Sequence, residues 1–205
     1  MNIISKVVGE LQENCYIVFE NNEAVVIDPG ADARVILSII EEKGLHLTHI
    51  LLTHGHFDHI GAVSEIKRQT DALLCIHFDD SDMLKTPDKN LSVFLGGSYI
   101  TDPADMYLYD GQIIETGGMS IRVIATPGHT PGGVCFEMGD SLFTGDTLFR
   151  LSVGRTDFPG SSAAKLSNSL QVLGKLTKNY FVYPGHGPAT TLDDEKEYNP
   201  FMRGR

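Results

Sequence analysis

Three of the eight histidines of this 205-residue chain fall within six positions, in "LLTHGHFDHIG" (51–61), directly after an apolar run. His54 and His56 are two apart, and in extended chain side chains at i and i+2 point the same way, so both imidazoles can face one ion. Asp58 and His59 follow as the chain turns, where they can face a neighbouring position. Three later turns have the same character: His129 in "TPGHTPGG", Asp146 in "FTGDT" and His186 in "YPGHG". Each follows a strand signal and sits beside glycine, which lets backbone approach closely. One such histidine would ordinarily hydrogen-bond its own loop. Five histidines and two aspartates at strand ends would bury several costly polar groups to no shared purpose, whereas one or two divalent ions satisfy them together. Neutral imidazole and carboxylate are ligands for zinc, iron or manganese.

The elements that must carry these turns alternate in type. Strands are predicted at 16–19 and 24–30, where Asp-Pro-Gly ends the second, and a helix at 31–44 with Gly44 as its stop. A buried strand at 48–53 leads into the histidine cluster, a helix is predicted at 59–70 and a strand at 72–77, which is an α/β pattern. Residues 78–105 mix polarity with Gly, Pro and Asp, and predict a helical turn followed by a surface excursion able to overhang a site. Then "MYLY", "QIIET", "MSIRVIAT", "GVCFEMG" and "SLFTG" form a run of hairpins too dense for one doubly wound sheet, so two sheets are expected. A helix at 163–176 and a strand at 180–185 complete the pattern, and the tail after His186 reads as short and polar. No linker divides the chain.

Composition bounds the partners. A formal charge of −11 and a pI near 5.0 argue against nucleic acid, which usually needs a clustered basic surface. Cys15, Cys75 and Cys135 are widely spaced with no CxxC, so neither a disulfide framework nor a cysteine-built zinc site is indicated. The first residues lack a basic start and a continuous apolar core, and no stretch reaches the roughly 18 apolar residues of a membrane span. The expectation is a cytoplasmic protein with a small-molecule substrate and neither nucleic acid nor membrane as partner; the oligomeric state stays open.

"HGHFDH", with His129, Asp146 and His186 following in order, resembles the HxHxDH motif and later ligands of the metallo-β-lactamase superfamily. Within it, "LTHGHFDHIGA", "TPGHTPGG", "LFTGDTLF", "GRTDFPG" and "YPGHGPATTL" with "NPF" are most similar to short glyoxalase II-like (hydroxyacylglutathione hydrolase-like) proteins. The resemblance implies a four-layer αββα sandwich with metals at one sheet edge. It implies that His54, His56 and His129 bind a first metal and Asp58, His59 and His186 a second, with Asp146 bridging; the ions are two divalent metals, zinc first, with iron or manganese as alternatives. A hydroxide shared by the ions would attack the carbonyl of a thioester, a hydroxyacylglutathione-like one being expected, and Asp58 would act catalytically by orienting it. A thiol of pKa around 8.5 leaves as thiolate near neutral pH, whereas an amine needs a proton donor, so thioester hydrolysis suits this ligand set better than amide hydrolysis. The bridging aspartate sets the chain apart from the antibiotic-hydrolysing branch, and β-lactamase activity is disfavoured.

Full-length glyoxalase II enzymes add a helical C-terminal domain that contributes to glutathione binding. Here nineteen residues follow His186, so a single metallo-β-lactamase-like domain over 1–205 without that addition is expected. Arg155 matches a basic position near the glutathione glycine, but Asp157 stands where tyrosine is usual. Arg155 then binds a substrate carboxylate or pairs with Asp157, and adjacent opposite charges in a loop favour the pair. Asp28 in "IDPG" is either an ordinary turn residue or, as in this superfamily, a support for the metal ligands from behind. Another enzyme class fits the resemblance: a persulfide dioxygenase holding one iron on His54, His129 and Asp146. A noncatalytic metal-binding module is the third reading. His46, His49 and His77 fall outside the ligand pattern and are expected to be structural or exposed, Cys15 and Cys135 to be core residues, and Gly132 and Gly133 to serve backbone fit.

Overall fold

Side-chain alternation along the strands decides the layering. The computed structural model describes residues 1–203. Strands β1 (Asn2–Val8), β2 (Glu13–Glu20), β3 (Glu23–Ile27), β4 (His46–Leu51), β5 (Leu73–His77) and β6 (Met106–Leu108) form one sheet in that order. The second sheet draws on β7 (Ile113–Thr116), β8 (Met119–Ala125), β9 (Val134–Met138), β10 (Ser141–Gly145), β13 (Phe181–Pro184) and β14 (Thr190–Thr191), in the order β14-β13-β10-β9-β8-β7. Between β10 and β13 lies a short ribbon of β11 (Leu148–Phe149) and β12 (Ser152–Val153).

Cys15 and Ile17 of β2, Ala24 and Val26 of β3 and Leu74 and Ile76 of β5 pack with α1 (Ala33–Glu42) and α3 (Val63–Gln69). Their neighbours Tyr16, Val18, Val25, Ile27 and Cys75 point the other way and meet Val123, Phe136 and Phe143 of the second sheet. That sheet turns Ile124, Cys135 and Leu142 outward onto α4 (Ala163–Gly174) and Leu192 of α5 (Leu192–Tyr198). Period-two alternation against apolar cover on both faces gives helix, sheet, sheet, helix, which is the expected four-layer αββα sandwich. Phe136 and Phe143 are fully buried between the sheets, where such a side chain contributes about 1.5–3 kcal/mol. Cys15, Cys75 and Cys135 are buried free thiols in the strands. Among the described residues no helix is long and apolar enough to cross a membrane.

Two expectations need correction. The helix predicted at 59–70 is two pieces, α2 (Phe57–Ile60) and α3, broken at Gly61 and Ala62. A Cβ on Gly61 would overlap the carbonyl oxygen of Gly30, and one on Gly30 would overlap that of Asp58. The two turns touch backbone to backbone, and the Ala62 amide donates to the Pro29 carbonyl at 2.9 Å instead of continuing one helix. The tail after His186 is not merely polar: α5 buries Leu192 and Glu195, and Asn199 beyond it is also buried. Glu195 accepts from the Leu151 amide at 2.8 Å and Asn199 donates to the Ser152 carbonyl at 3.0 Å, so this segment fixes the β11–β12 turn.

The topology gathers the histidine-bearing turns. β10 and β13 are parallel, so Asp146 and His186 leave the second sheet at the same end. The Thr53 carbonyl accepts from the Val134 amide at 2.8 Å, which brings the exit of β4 beside the β8–β9 turn that carries His129.

Candidate metal centre

His54 and His56 follow β4, Asp58 and His59 lie on α2, His129 sits between β8 and β9, Asp146 follows β10 and His186 follows β13. The structure brings all seven together as two sets. Ligand atoms of His54, His56 and His129 lie within 4.8 Å of one another, and so do those of Asp58, His59 and His186. Asp146 stands between them: its Oδ2 is 3.5 Å from His129 Nε2, and its Oδ1 is 3.5 Å from His59 Nε2 and 3.8 Å from His186 Nε2. Within the sets, His56 Nδ1 is 3.0 Å from His129 Nε2 and His186 Nε2 is 3.2 Å from Asp58 Oδ2.

The remaining ring nitrogens are tied down from behind. Thr53 Oγ1 donates to Asp28 Oδ2 at 2.6 Å, and the Thr53 amide donates to Asp28 Oδ1 at 2.7 Å. Having given its proton to Asp28, the Thr53 hydroxyl accepts from His54 Nδ1 at 3.1 Å. His59 Nδ1 donates to the same Asp28 Oδ2 at 3.0 Å, and His129 Nδ1 donates to the Arg155 carbonyl at 2.9 Å. These bonds aim the Nε2 lone pairs of His54, His59 and His129 into the site, the arrangement that metal-binding histidines use. Asp28 could also be grouped with His54 and His59 as a ligand set. Its two oxygens are occupied by Thr53 and His59, so it supports ligands and does not compete with them.

Whether a cation fits can be read from the unpaired atoms. His54 Nε2, His59 Nε2 and Asp146 Oδ1 are buried without any hydrogen-bond partner. Each such group costs about 1–3 kcal/mol when left unmade, and all three point into the space between the two sets. Nitrogen and oxygen donors in this number fit divalent metals, with zinc, iron and manganese all compatible.

Charge is arranged accordingly. Burial, reinforced by His59, His56 and His129, holds His54 well below the usual imidazole range, and burial with His129 lowers His56 to about 3. Both are unprotonated near neutral pH. Burial pulls His59 down too, but Asp58, Asp28 and Asp146 outweigh it and hold that imidazole well above its ordinary value. His186 is raised in the same way, burial being overcome by its hydrogen bond to Asp58 and the charge of Asp146. Burial would raise Asp58, yet His59 and His186 hold its carboxyl below the usual range.

Arg155 does not present its guanidinium to the centre. Nε and Nη2 donate to the two oxygens of Asp157 at 2.9 and 2.7 Å, and the guanidinium lies 4.4 Å over the Phe158 ring. Its contribution to the centre is its carbonyl. His46 is exposed, His49 Nδ1 meets Thr48 Oγ1 at 2.9 Å, and His77 Nδ1 accepts from the Asp79 amide at 3.2 Å, so none of the three joins the cluster.

Four residues that position the site carried no local sequence signal. Asn14 Nδ2 donates to the carbonyls of Pro184 and Gly187 at 3.0 and 2.8 Å, on either side of His186, and the Tyr16 hydroxyl donates to Pro184 at 2.6 Å. Asp80, fully buried, accepts from the amides of Gly132 at 2.6 Å and Gly55 at 3.3 Å, joining the His129 turn to the His54 turn. A Cβ on Gly132 would crowd that Asp80 carboxyl, which is the backbone fit expected of this glycine. Glu13 is buried behind His59, its Oε1 3.9 Å from Nδ1, and burial pushes its carboxyl well above the ordinary range.

Residues 8–186 match the family model of the metallo-beta-lactamase superfamily. The hydroxyacylglutathione hydrolase GloC of Haemophilus influenzae is 33% identical over 218 residues, with 100% of both chains covered. The crystal structure of the BLEG-1 B3 metallo-beta-lactamase is similar at a TM-score of 0.95 and 35% identity, covering 99% of this chain and 100% of that one. A di-iron-bound form of TTHA1623 gives 0.85 and 39%, covering 97% and 99%, and ETHE1 from Myxococcus xanthus 0.80 and 29%, covering 98% and 84%. With a family match across the metal centre and the GloC relative spanning both full lengths, the chain belongs to the metallo-beta-lactamase superfamily and is one of its metallo-hydrolases.

Proposed function

We propose that this chain is a thioester hydrolase that works with two divalent metal ions. His54, His56 and His129 hold the first ion, Asp58, His59 and His186 hold the second, and Asp146 bridges them. The observation that carries the reading is the split carboxylate of Asp146, one oxygen toward His129 and the other toward His59 and His186. Two carboxylate oxygens facing two ligand sets suit a pair of ions; the dioxygenase alternative would use only His54, His129 and Asp146 and keep the second set beside its iron, so metal stoichiometry separates the two readings. When bound, such ions lower the pKa of a coordinated water from 15.7 to about 7 and polarise a carbonyl oxygen.

The protein's own groups supply orientation. Asp58 Oδ2 lies 3.2 Å from His186 Nε2, so carboxylate and imidazole face one space, and the Asp58 oxygen not given to the ion would be placed to hold the attacking water by a hydrogen bond. Asp28 and Thr53 keep His54 and His59 in one tautomer each. The acids facing the centre are Asp58 and Asp146, both engaged with histidines, which leaves no free proton donor for an amine leaving group. A thiolate needs none. The hydrolase name of the GloC relative supports a thioester.

The test is protein loaded with zinc, iron or manganese, analysed for bound metal and assayed on thioesters, a chromogenic β-lactam and glutathione persulfide with oxygen uptake. Thioester cleavage at about two ions per chain, lost in Asp146→Ala together with metal content, is expected. One iron per chain with stoichiometric oxygen consumption would replace this reading by the dioxygenase one, and β-lactam cleavage without thioester cleavage would replace it by an amide hydrolase.

A further inference from the structure

A groove of about 380 Å³ opens beside Asp58. Its floor is backbone, from Gly9, Gly30, Gly96 and Gly97, and its walls are Val8, Leu11, Phe57 and Tyr99. Phe57 and Tyr99 sit with ring centroids 5.9 Å apart, and the segment that brings Tyr99 there leaves Phe94 and Ile100 exposed at 71% and 62%. The predicted excursion over 78–105 thus does reach the site, and what it brings to the groove is Gly96, Gly97 and Tyr99. Among the described residues that line it, the charged ones are Asp58 and Glu10, and none is a lysine or arginine. On the flank of the other ligand set, Phe158 lies 5.7 Å from His56, and the cation there, Arg155, is paired with Asp157 at 2.7 Å. Arg150 is exposed but does not line the groove.

A doubly carboxylated thiol carrier such as glutathione, or a phosphorylated one, would bring anions to a surface that offers acids and aromatic rings. An uncharged chain would bury apolar area there at no electrostatic cost. Resting on the thioester reading above, we propose that the groove binds the acyl chain of the substrate, and that the substrate class is an aliphatic or aromatic acyl thioester on a carrier without anionic groups.

The experiment uses metal-loaded protein and acetyl, butanoyl and hexanoyl thioesters of N-acetylcysteamine, with lactoylglutathione as the anionic comparison. Each buried methylene is worth up to about fourfold in kcat/KM, so a rise of at least tenfold from acetyl to hexanoyl is expected. Hexanoyl should also exceed lactoylglutathione by about tenfold or more. Tyr99→Ala should shrink the hexanoyl-to-acetyl ratio through KM, and Tyr99→Phe should restore it. Calorimetric titration with the unreactive thioether analogues of the acetyl, butanoyl and hexanoyl compounds should show the same order of affinities without turnover. A flat acyl series with cleavage intact, or preference for lactoylglutathione, would overturn the groove assignment alone. No cleavage of any thioester by fully loaded protein would bring down the hydrolase reading, and the thioether titration would still report on the groove.

Discussion

His59 Nδ1 lies 3.0 Å from Asp28 Oδ2, and that same oxygen accepts the Thr53 hydroxyl that in turn receives His54 Nδ1. One carboxylate therefore sets the tautomer of a histidine in each ligand set. Asp28→Asn preserves size but puts a donor where an acceptor is needed, and loss of such a supporting carboxylate typically costs 10–100-fold in metal affinity. A drop of about tenfold or more in affinity for both ions is expected in metal competition titrations. Equal affinities in the two proteins would show that the imidazoles are held without Asp28.

The two sets should load differently with pH. His54 and His56 have imidazoles pushed down by burial, so they are already unprotonated at pH 6. His59 and His186 are raised by their carboxylate neighbours, so at that pH they carry protons that a metal must displace. A base with a raised pKa binds metal less well as pH falls through that pKa. Lowering the pH from 8 to 6 should release the ion of the second set first, and calorimetry in buffers of different ionisation enthalpy should register proton release for that ion. Simultaneous loss of both ions would contradict this order.

Much of the site was legible because ligand chemistry leaves a local mark. His54 and His56 stand two apart at a strand end, and His129, Asp146 and His186 each follow a strand beside glycine. The two-sheet fold was legible from the same alternation that now separates Tyr16 and Val18 from Cys15 and Ile17. What escaped was the bonding between distant backbone segments. Asn14 and its partner carbonyls are about 170 positions apart, and an asparagine in a strand reads as nothing in particular. The break at Gly61 depends on contact with Gly30, which no helical periodicity encodes. α5 reads as a solvated tail because it is anchored by one leucine and a buried carboxyl, Glu195, within an acidic stretch.

Asp80 offers a stability test separate from metal binding. Burial pushes its carboxyl up to about 6, against the Gly132 and Gly55 amides that pull it down. An unfolded aspartate titrates near 3.9, so between about pH 4 and 6 the folded chain holds a proton the unfolded chain has released. Stability from this group therefore falls as pH rises through that window and is level above it. Relative to Asp80→Asn, metal-free wild type should lose about 2–3 kcal/mol of unfolding free energy between pH 4 and 6, measured with urea. Taking the difference between the two proteins cancels the opposite slope from His54 and His56, whose lowered values add stability as pH rises. A difference independent of pH would mean that Asp80 keeps an ordinary titration despite its burial.

Asn14 isolates the placement of one ligand. Its Nδ2 spans the Pro184 and Gly187 carbonyls, while its amide donates to Gly185 at 2.7 Å, so three bonds from one strand residue fix the turn that carries His186. Asn14→Ala keeps the amide bond and removes the other two, leaving carbonyls short of a donor at a cost of about 1–3 kcal/mol in stability. Tyr16 still holds Pro184, so the turn stays attached but loses its grip beyond His186. The expected result is a folded protein with the second ion bound about tenfold more weakly and the first ion unaffected, since His54, His56 and His129 owe nothing to this turn. Asn14→Asp should fail to rescue, because a carboxylate cannot donate to either carbonyl. If metal titration of Asn14→Ala shows both ions weakened equally, the turn is part of one cooperative shell, and the separation into two sets does not hold energetically.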